Sequence, residues 1–225
     1  MKSILADYHF AWKTIVLFLI TKSLWFMTLY HYFNGNLSFL SCLILLSLFA
    51  YINFTPMHEA SHGNIAGRFK KFRWLENIIG HISSSSLFIP FPIFKRLHLQ
   101  HHSYTNVKGN DPDFWVATRN PLLLIFKIFT IKPHYYFHAI IKPKKPVKKE
   151  QYKIIMILFS YISIIFIFHN YSEKGLELFY LWFGSSILAL AILALVFDWL
   201  PHTPHNKVGR FIDTAIIDIP LLNYP

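Results

Sequence analysis

The chain has 225 residues, of which 54% are hydrophobic and 15% are charged, and its formal net charge is +11. So few charges and so much Phe, Ile and Leu exclude an ordinary soluble domain and indicate a protein that resides in a membrane. The single cysteine, Cys42, lies within an apolar segment and excludes a disulfide framework. We interpret residues 1–225 as one membrane domain.

Four apolar segments predict membrane spans, for which roughly 17–25 residues are needed. These segments cover residues 14–33, 37–54, 154–168 and 178–197. The third is short, and Tyr152 and Tyr171 extend it into the interface. The turn sequence Asn34-Gly-Asn36 joins the first two spans into an antiparallel hairpin, and the last two form a second hairpin. The expected fold is all-α and integral to the membrane, with four transmembrane helices as two hairpins and an interfacial helical region between them.

Basic residues concentrate in the connection between the hairpins. Sixteen of the 22 Lys and Arg residues fall between Arg68 and Lys153, whereas the loop of the second hairpin has only Lys174. This asymmetry follows the positive-inside rule and predicts that both termini and the long connection are cytoplasmic. The basic excess is therefore assigned to topology and to anionic lipid headgroups, and nucleic-acid binding is not expected.

The order of features along the connection follows from its polarity and its prolines. The second span is predicted to end at Pro56, and the segment 74–94 is too polar to cross and is broken by Pro90 and Pro92. Residues 95–104 are predicted to form a short helix and residues 120–141 a helix lying on the membrane. Residues 142–149 are a solvated linker.

Two histidine clusters carry the chemistry, His58-Glu-Ala-Ser-His62 and His98-Leu-Gln-His101-His102. Their spacings, i, i+4 and i, i+3, i+4, place imidazoles on one face of a helix. Since both clusters are predicted at the same membrane face, the five side chains form a nitrogen-rich pocket suited to iron, zinc or copper. The carboxylates nearest in sequence, which could fix the imidazole tautomers, are Glu59, Asp111 and Asp113.

The residues His58-Glu-Ala-Ser-His-Gly-Asn64 and His98-Leu-Gln-His-His-Ser-Tyr-Thr-Asn106 resemble the first two histidine boxes of the membrane fatty acid desaturase superfamily. The segments 109–114 and 198–205 resemble further family segments, the latter in bacterial members near carotenoid hydroxylases and ketolases. The resemblance implies a bacterial inner-membrane enzyme with two iron ions, dioxygen and an electron-donor protein such as a ferredoxin. It further implies a lipid substrate whose acyl chain acquires a double bond or a hydroxyl group.

The resemblance also implies roles for individual residues. The implied iron ligands are His58, His62, His98, His101, His102, His202 and His205, and the carboxylates expected around them are Glu59, Asp111, Asp113 and Asp198. Pro204 argues against a regular helix through the last two histidines. The family's third box, H-x-x-H-H or Q-x-x-H-H, is not found before Pro225, so we expect the chain to lack its C-terminal portion.

Several alternatives stay open at this point. A carotenoid hydroxylase or ketolase would share the same boxes, and a non-catalytic remnant would keep the membrane fold but bind little iron. A zinc hydrolase or a transporter would place a different metal or cargo in the pocket. A transporter would carry ionisable groups near the bilayer midplane, whereas these histidines cluster at its boundary.

Overall fold

The computed structural model describes residues 9–141, 148–209 and 214, and within those ranges the ordered backbone is helical without a β-strand. The helices are α1 (Trp12–Phe33), α2 (Phe39–His62), α3 (Trp74–Ser86), α4 (Phe91–Tyr104), α5 (Pro121–Phe129), α6 (Ile131–Tyr136), α7 (Lys148–Ser172) and α8 (Gly175–Leu193). Of these, α1, α2, α7 and α8 are long and apolar enough to cross a membrane. The predicted all-α integral membrane fold is confirmed.

Both hairpins are present as the sequence predicts. Gly35 turns the chain between α1 and α2 at a φ of 77°, a value that glycine adopts without strain. Ser38 then caps α2 by accepting a hydrogen bond from the backbone N–H of Ser41 at 3.1 Å. The turn between α7 and α8 is shorter, at residues 173–174, and α8 packs against both α7 and α2.

The four spans differ in how much of their surface the protein itself covers. Half of the apolar window of α8 (50%) is buried, against 11% of that of α7. Therefore α8 is the most buried of the four spans, while α7 presents most of its apolar surface outward. An outward apolar face of this size suits contact with lipid.

The prediction that the second span ends at Pro56 is wrong. Instead α2 continues through Pro56 to His62, and Gly63, at a φ of 75°, ends it. The N–H of Asn64 donates to the carbonyl of Glu59 at 3.0 Å, which closes the last turn. Proline is tolerated inside spanning helices because neighbouring groups satisfy the backbone that it frees. The first histidine cluster therefore lies on the final turns of α2 itself.

The long connection between the two hairpins packs against the spanning helices. Although α3 is too polar to cross, it lies against α2 and buries three serine side chains, Ser83, Ser84 and Ser86. The ammonium of Lys22, halfway along α1, donates to the hydroxyls of Ser85 at 3.1 Å and Ser86 at 2.8 Å. Lys22 therefore faces a neighbouring helix, as a charged side chain within a span must if it cannot reach the interface.

Two predicted helix boundaries in the connection need correction. The helix predicted at 95–104 begins earlier, because Pro92 lies in the first turn of α4, where a proline needs no N–H partner. The single helix predicted over 120–141 is divided at Thr130 into α5 and α6, and a π-helical turn, Phe137–Ile141, follows. Leu122 and Phe126 on α5 remain exposed, and their contact with a membrane stays a prediction. The predicted linker lies largely outside the described residues.

Candidate metal centre

Four imidazoles converge where the end of α2 meets α4. One ligand nitrogen from each of His58, His62, His98 and His102 lies within 4.8 Å of all the others. The Nε2 atom of His98 is 2.9 Å from that of His62 and 3.1 Å from that of His102. Phe94 stacks on the His98 ring, with centroids 5.1 Å apart, and holds it in the centre of this group. We call these four residues the imidazole cluster.

The donor set of the imidazole cluster fits a transition metal ion. Bonds of about 2.0–2.1 Å from imidazole nitrogens to one ion would place those nitrogens about 3–4 Å apart. The separations of 2.9 and 3.1 Å around His98 fall at the short end of that range. Imidazole ligands suit iron, zinc, copper and nickel, so the residues alone fit a metal without choosing among these four.

His98 is held in the neutral form that a ligand needs. Burial, followed by the neighbouring imidazoles of His58 and His102, lowers the pKa of His98 to about 2. The ring nitrogen therefore keeps its lone pair across the physiological range. Only the neutral imidazole can coordinate a metal, so the crowding that disfavours a proton favours an ion.

His101 is turned away from the imidazole cluster toward two carboxylates. Its Nδ1 donates to Asp111 at 2.9 Å and lies 3.2 Å from an oxygen of Asp113, and the three residues are buried. Burial disfavours the imidazolium, but Asp113 and Asp111 outweigh it and raise the pKa of His101 to about 9. With Nδ1 held by carboxylates, Nε2 is the nitrogen available to a metal. We call these three residues the carboxylate group.

Glu59 makes the corresponding contact within the imidazole cluster. Its carboxylate accepts from Nδ1 of His58 at 3.0 Å, and its other oxygen accepts from the side-chain amide of Asn64 at 3.0 Å. This contact keeps the proton of His58 on Nδ1, so that Nε2 is the nitrogen that could bind a metal. Glu59 therefore contacts a histidine of the cluster, and its role in orienting a metal ligand stays a prediction.

The turn after α8 brings one of its two histidines to the centre. The ring of His202 lies 5.0 Å from that of His101, between centroids, and lines the same cavity. His205 packs at 6.0 Å from the ring of Phe114 and does not line that cavity. No helix runs through the pair, as Pro204 predicts. The structure therefore brings together six of the seven histidines, and His205 lies behind them.

A cavity of about 400 Å³ connects the two groups. Its polar wall includes His58, His98, His101, His102 and His202, together with Asp113 and Asp198. Its apolar walls come from α2, α4, α6, α8 and the turn after α8, and they include Phe54, Phe94, Leu97, Ile131, Leu190, Leu193, Ala194 and Phe197. Asp198 was predicted among the outer carboxylates, and it reaches the cavity from the π-helical turn Ala194–Trp199 that extends α8. An apolar cavity beside a polar, histidine-rich wall can accommodate an apolar molecule.

Two contributors to this centre were not predicted from the sequence. The hydroxyl of Tyr135 on α6 donates to Asp113 at 2.5 Å and lines the cavity. The backbone N–H of Asn106 donates to Asp111 at 2.8 Å, and the side-chain amide of Asn106 donates to the carbonyl of Lys207 at 2.9 Å. Asn106 therefore ties the loop after α4 to the turn that carries His202. Neither residue has a spacing that would have revealed it.

Comparisons with known proteins agree with this geometry. The chain is 29% identical to the sphingolipid delta(4)-desaturase DES1 of Xenopus tropicalis over 148 residues, 60% of this chain and 42% of the relative. It is 30% identical to the delta(12) fatty acid desaturase fat-2 of Caenorhabditis elegans over 79 residues, 34% of this chain and 20% of the relative. The chain thus spans less than half the length of either protein, and no solved structure matches it.

The family model for fatty acid desaturases matches residues 34–219. That range includes both histidine clusters, the loop with Asp111 and Asp113, and the turn with His202. Its length exceeds half of the chain, and the match agrees with the resemblance that the two histidine boxes carry. The chain belongs to the fatty acid desaturase family.

Proposed function

We propose that the protein is a membrane-bound oxidoreductase that introduces a double bond, or a hydroxyl group, into the acyl chain of a lipid. The observation that carries this proposal is the meeting of two histidine groups at one wall of an otherwise apolar cavity. Membership of the desaturase family supports a lipid-modifying oxidoreductase in general. The particular reaction and substrate are the proposal.

The reaction requires a metal and electrons from outside the chain. Two iron ions, when bound, would activate dioxygen for removal of hydrogen from an unactivated C–H bond. Desaturation consumes one dioxygen, two electrons and two protons, and yields the alkene and two waters. Hydroxylation takes the same inputs and yields the alcohol and one water. The substrate supplies the other two electrons in each case, so we propose an external electron-donor protein such as a ferredoxin.

The ligand assignment follows from which nitrogen of each ring faces inward. His58, His62, His98 and His102 would hold one iron, because their nitrogens already converge. His101 and His202, whose rings adjoin, would contribute to the second. Asp111 and Asp113 keep a proton on Nδ1 of His101 and so direct its Nε2 to the cavity. Asp198 lies close enough to complete this polar wall.

The apolar walls would bind the hydrocarbon chain of the substrate. Ile131, Leu190 and Leu193 line the cavity away from the histidines, where a hydrocarbon chain would displace water. Excluding water protects the reactive centre and holds the chain in one register against the metal wall. We propose that the histidine end of the bundle faces the cytoplasm of a bacterial inner membrane, in keeping with the basic connection at that end.

A zinc hydrolase is the competing function. The spacing of His58-Glu-Ala-Ser-His62 fits the H-E-x-x-H pattern of zinc proteases, in which the glutamate is the general base. Here Glu59 is instead occupied by Nδ1 of His58 and by Asn64. Two further imidazoles, from His98 and His102, occupy the space beside the metal that a hydrolytic water would need. The arrangement therefore favours iron-dependent oxidation over hydrolysis.

Metal analysis and lipid analysis together test the proposal. The protein would be expressed in a bacterial membrane and purified, and its metals would be quantified by mass spectrometry. We expect about two irons per chain, the number that a di-iron site holds. Lipids of the same cells should gain species lighter by two hydrogens, or heavier by one oxygen. A carotenoid that gains an oxygen would instead identify the pigment-modifying branch of the family.

Two variants make the test decisive. His101→Ala should lose bound iron and the lipid product, whereas His31→Ala, exposed at the opposite end of the bundle, should lose neither. Unchanged iron content in His101→Ala would overturn the ligand assignment. One zinc per chain and no change in any lipid mass would overturn the oxidoreductase.

A further inference from the structure

A second cavity lies in the half of the bundle away from the histidines. It has a volume of about 430 Å³ and is lined by the later half of α1 and by neighbouring parts of α3, α7 and α8. Among its described lining residues, none also lines the cavity beside the histidines. Phe26, Tyr30 and Ile164 on its rim are exposed, so the cavity is a groove that opens to the outer surface of the spans. We call it the outer groove.

The inner end of the outer groove carries a buried basic group, the amine of Lys22. Lys22 is 6% exposed, and its ammonium bonds only to the neutral hydroxyls of Ser85 and Ser86. It also lies 4.5 Å from the centroid of the Trp25 ring. Within the described ranges, no carboxylate forms an ion pair with Lys22. In its protonated form, the amine is solvated by the two hydroxyls and by the ring face, and no counter-ion lies beside it within the described residues.

A second donor at the same end is also unmatched. Trp25 is 3% exposed and lines the groove, and its indole N–H has no hydrogen-bond partner in the part of the chain that is described. A buried donor without an acceptor costs roughly 1–3 kcal/mol. An ammonium and an indole N–H beside each other therefore favour an occupant that brings an anionic acceptor.

The rest of the outer groove fits a hydrocarbon chain. Its walls are Leu29 and Phe33 of α1, Ile164 and Phe168 of α7, and Leu178 of α8. From Lys22 to Phe33 the groove follows α1 for eleven residues, which is about 16 Å at 1.5 Å per residue. That length is close to half of the roughly 30 Å hydrocarbon core of a bilayer.

We propose that the outer groove binds a long-chain carboxylate, with the carboxylate on Lys22 and the chain along α1 toward Phe33. Charge complementarity selects the carboxylate, because the groove offers a cation and a donor at one end and hydrocarbon along its length. A neutral acyl ester could fill the walls but would leave the ammonium without a counter-ion. This site is separate from the proposed oxidation and does not depend on it.

Quenching of tryptophan fluorescence tests the proposal directly. The full chain would be placed in lipid nanodiscs and titrated with a dibrominated stearate, whose bromines quench nearby indoles. Saturable quenching is expected, since Trp25 and Trp182 line the groove. Lys22→Met should weaken binding at least about tenfold, the low end for a close desolvated charge pair. The methyl ester of the same acid should bind wild type no better than the acid binds Lys22→Met.

Three further variants locate the site and control for folding. Lys22→Arg should retain binding because it keeps the charge, and Lys13→Met, exposed on the same helix, should leave binding unchanged. Trp182→Phe should reduce the quenched fraction, because it removes one of the two indoles that line the groove. Equal binding of acid and ester, unaffected by Lys22→Met, would overturn the proposal in favour of a neutral lipid. Quenching that never saturates would overturn it in favour of partition into the bilayer.

Discussion

The imidazole cluster and the carboxylate group lie side by side but are built in different ways. The cluster uses two helix ends, is partly exposed at His102 and has one carboxylate, Glu59, beside it. The carboxylate group is wholly buried and pairs one imidazole with two acids. Burial and neighbouring imidazoles lower the pKa of His98 in the first site, whereas the carboxylates of the second raise the pKa of His101. Two neighbouring metals would therefore be held by different means.

The largest effect is expected from removing the central ring of the imidazole cluster. His98→Ala takes away the nitrogen that lies between those of His62 and His102. Since changes to outer partners alone cost 10–100-fold in metal affinity, losing this ligand should cost at least about 100-fold. Iron titration of the purified protein measures the loss. His169→Ala, exposed near the end of α7, is the matched control and should bind iron as wild type does.

The next effect should be confined to the carboxylate group. Asp113→Asn keeps the shape of the side chain but removes the charge that His101 and Tyr135 contact. We expect a loss of about 10–100-fold in affinity for the second iron, so that the iron content falls from two toward one. Metal analysis after dialysis reports the stoichiometry. If both irons were lost together, the two groups would have to be treated as one site.

A smaller effect is expected from changing Glu76, which holds the backbone that follows the first histidines of the imidazole cluster. The buried carboxylate of Glu76 accepts the backbone N–H groups of Ile65 at 3.3 Å and Ala66 at 2.9 Å, just beyond the end of α2. Glu76→Gln should lower the free energy of unfolding by about 1–3 kcal/mol, because a charge-assisted acceptor becomes a neutral one. Thermal unfolding in detergent would measure this. An equal loss in Glu173→Gln, exposed at the far end of the bundle, would contradict a specific role.

The smallest effect should come from Tyr135→Phe. This change removes one hydrogen bond to Asp113, at 2.5 Å, and leaves both contacts of His101 in place. We expect a loss of about tenfold in affinity for the second iron, the low end for an outer partner. Tyr136→Phe is the control, because Tyr136 donates to the carbonyl of Phe88 rather than to a carboxylate. Identical iron binding in the two variants would show that Tyr135 does not contribute to the metal centre.

Hydropathy and spacing predicted those features that depend on one helix at a time. The four spans follow from composition, and the pairing of His58 with His62 and of His98 with His102 follows from the i, i+4 spacing. The end of α2 was misplaced because a proline that would break a helix in water is accommodated within a membrane bundle. In that case the environment overrides local propensity.

The orientation of His101 could not be predicted in this way. At about 100° per residue, position 101 points well away from position 102, and the loop after α4 decides what it meets there. That loop depends on Asn106 and Gly109, both at positive φ, which bring Asp111 back to the helix. Such a return is a tertiary property without a periodic signal. The contact of Tyr135 with Asp113 depends in turn on how α6 packs, which no sequence pattern specifies.

The position of Lys22 has a consequence for how the chain enters its membrane. A lysine at the centre of a span costs about 2.5–3.5 kcal/mol on insertion, and its hydroxyl partner Ser86 is synthesised 64 residues later. At ribosomal rates of about 5–20 residues per second, several seconds therefore pass between the synthesis of Lys22 and that of its partner on α3. During that interval the first hairpin depends on water, lipid headgroups or the insertion machinery. Integration of α1 and packing of α3 should thus be coupled steps in biogenesis.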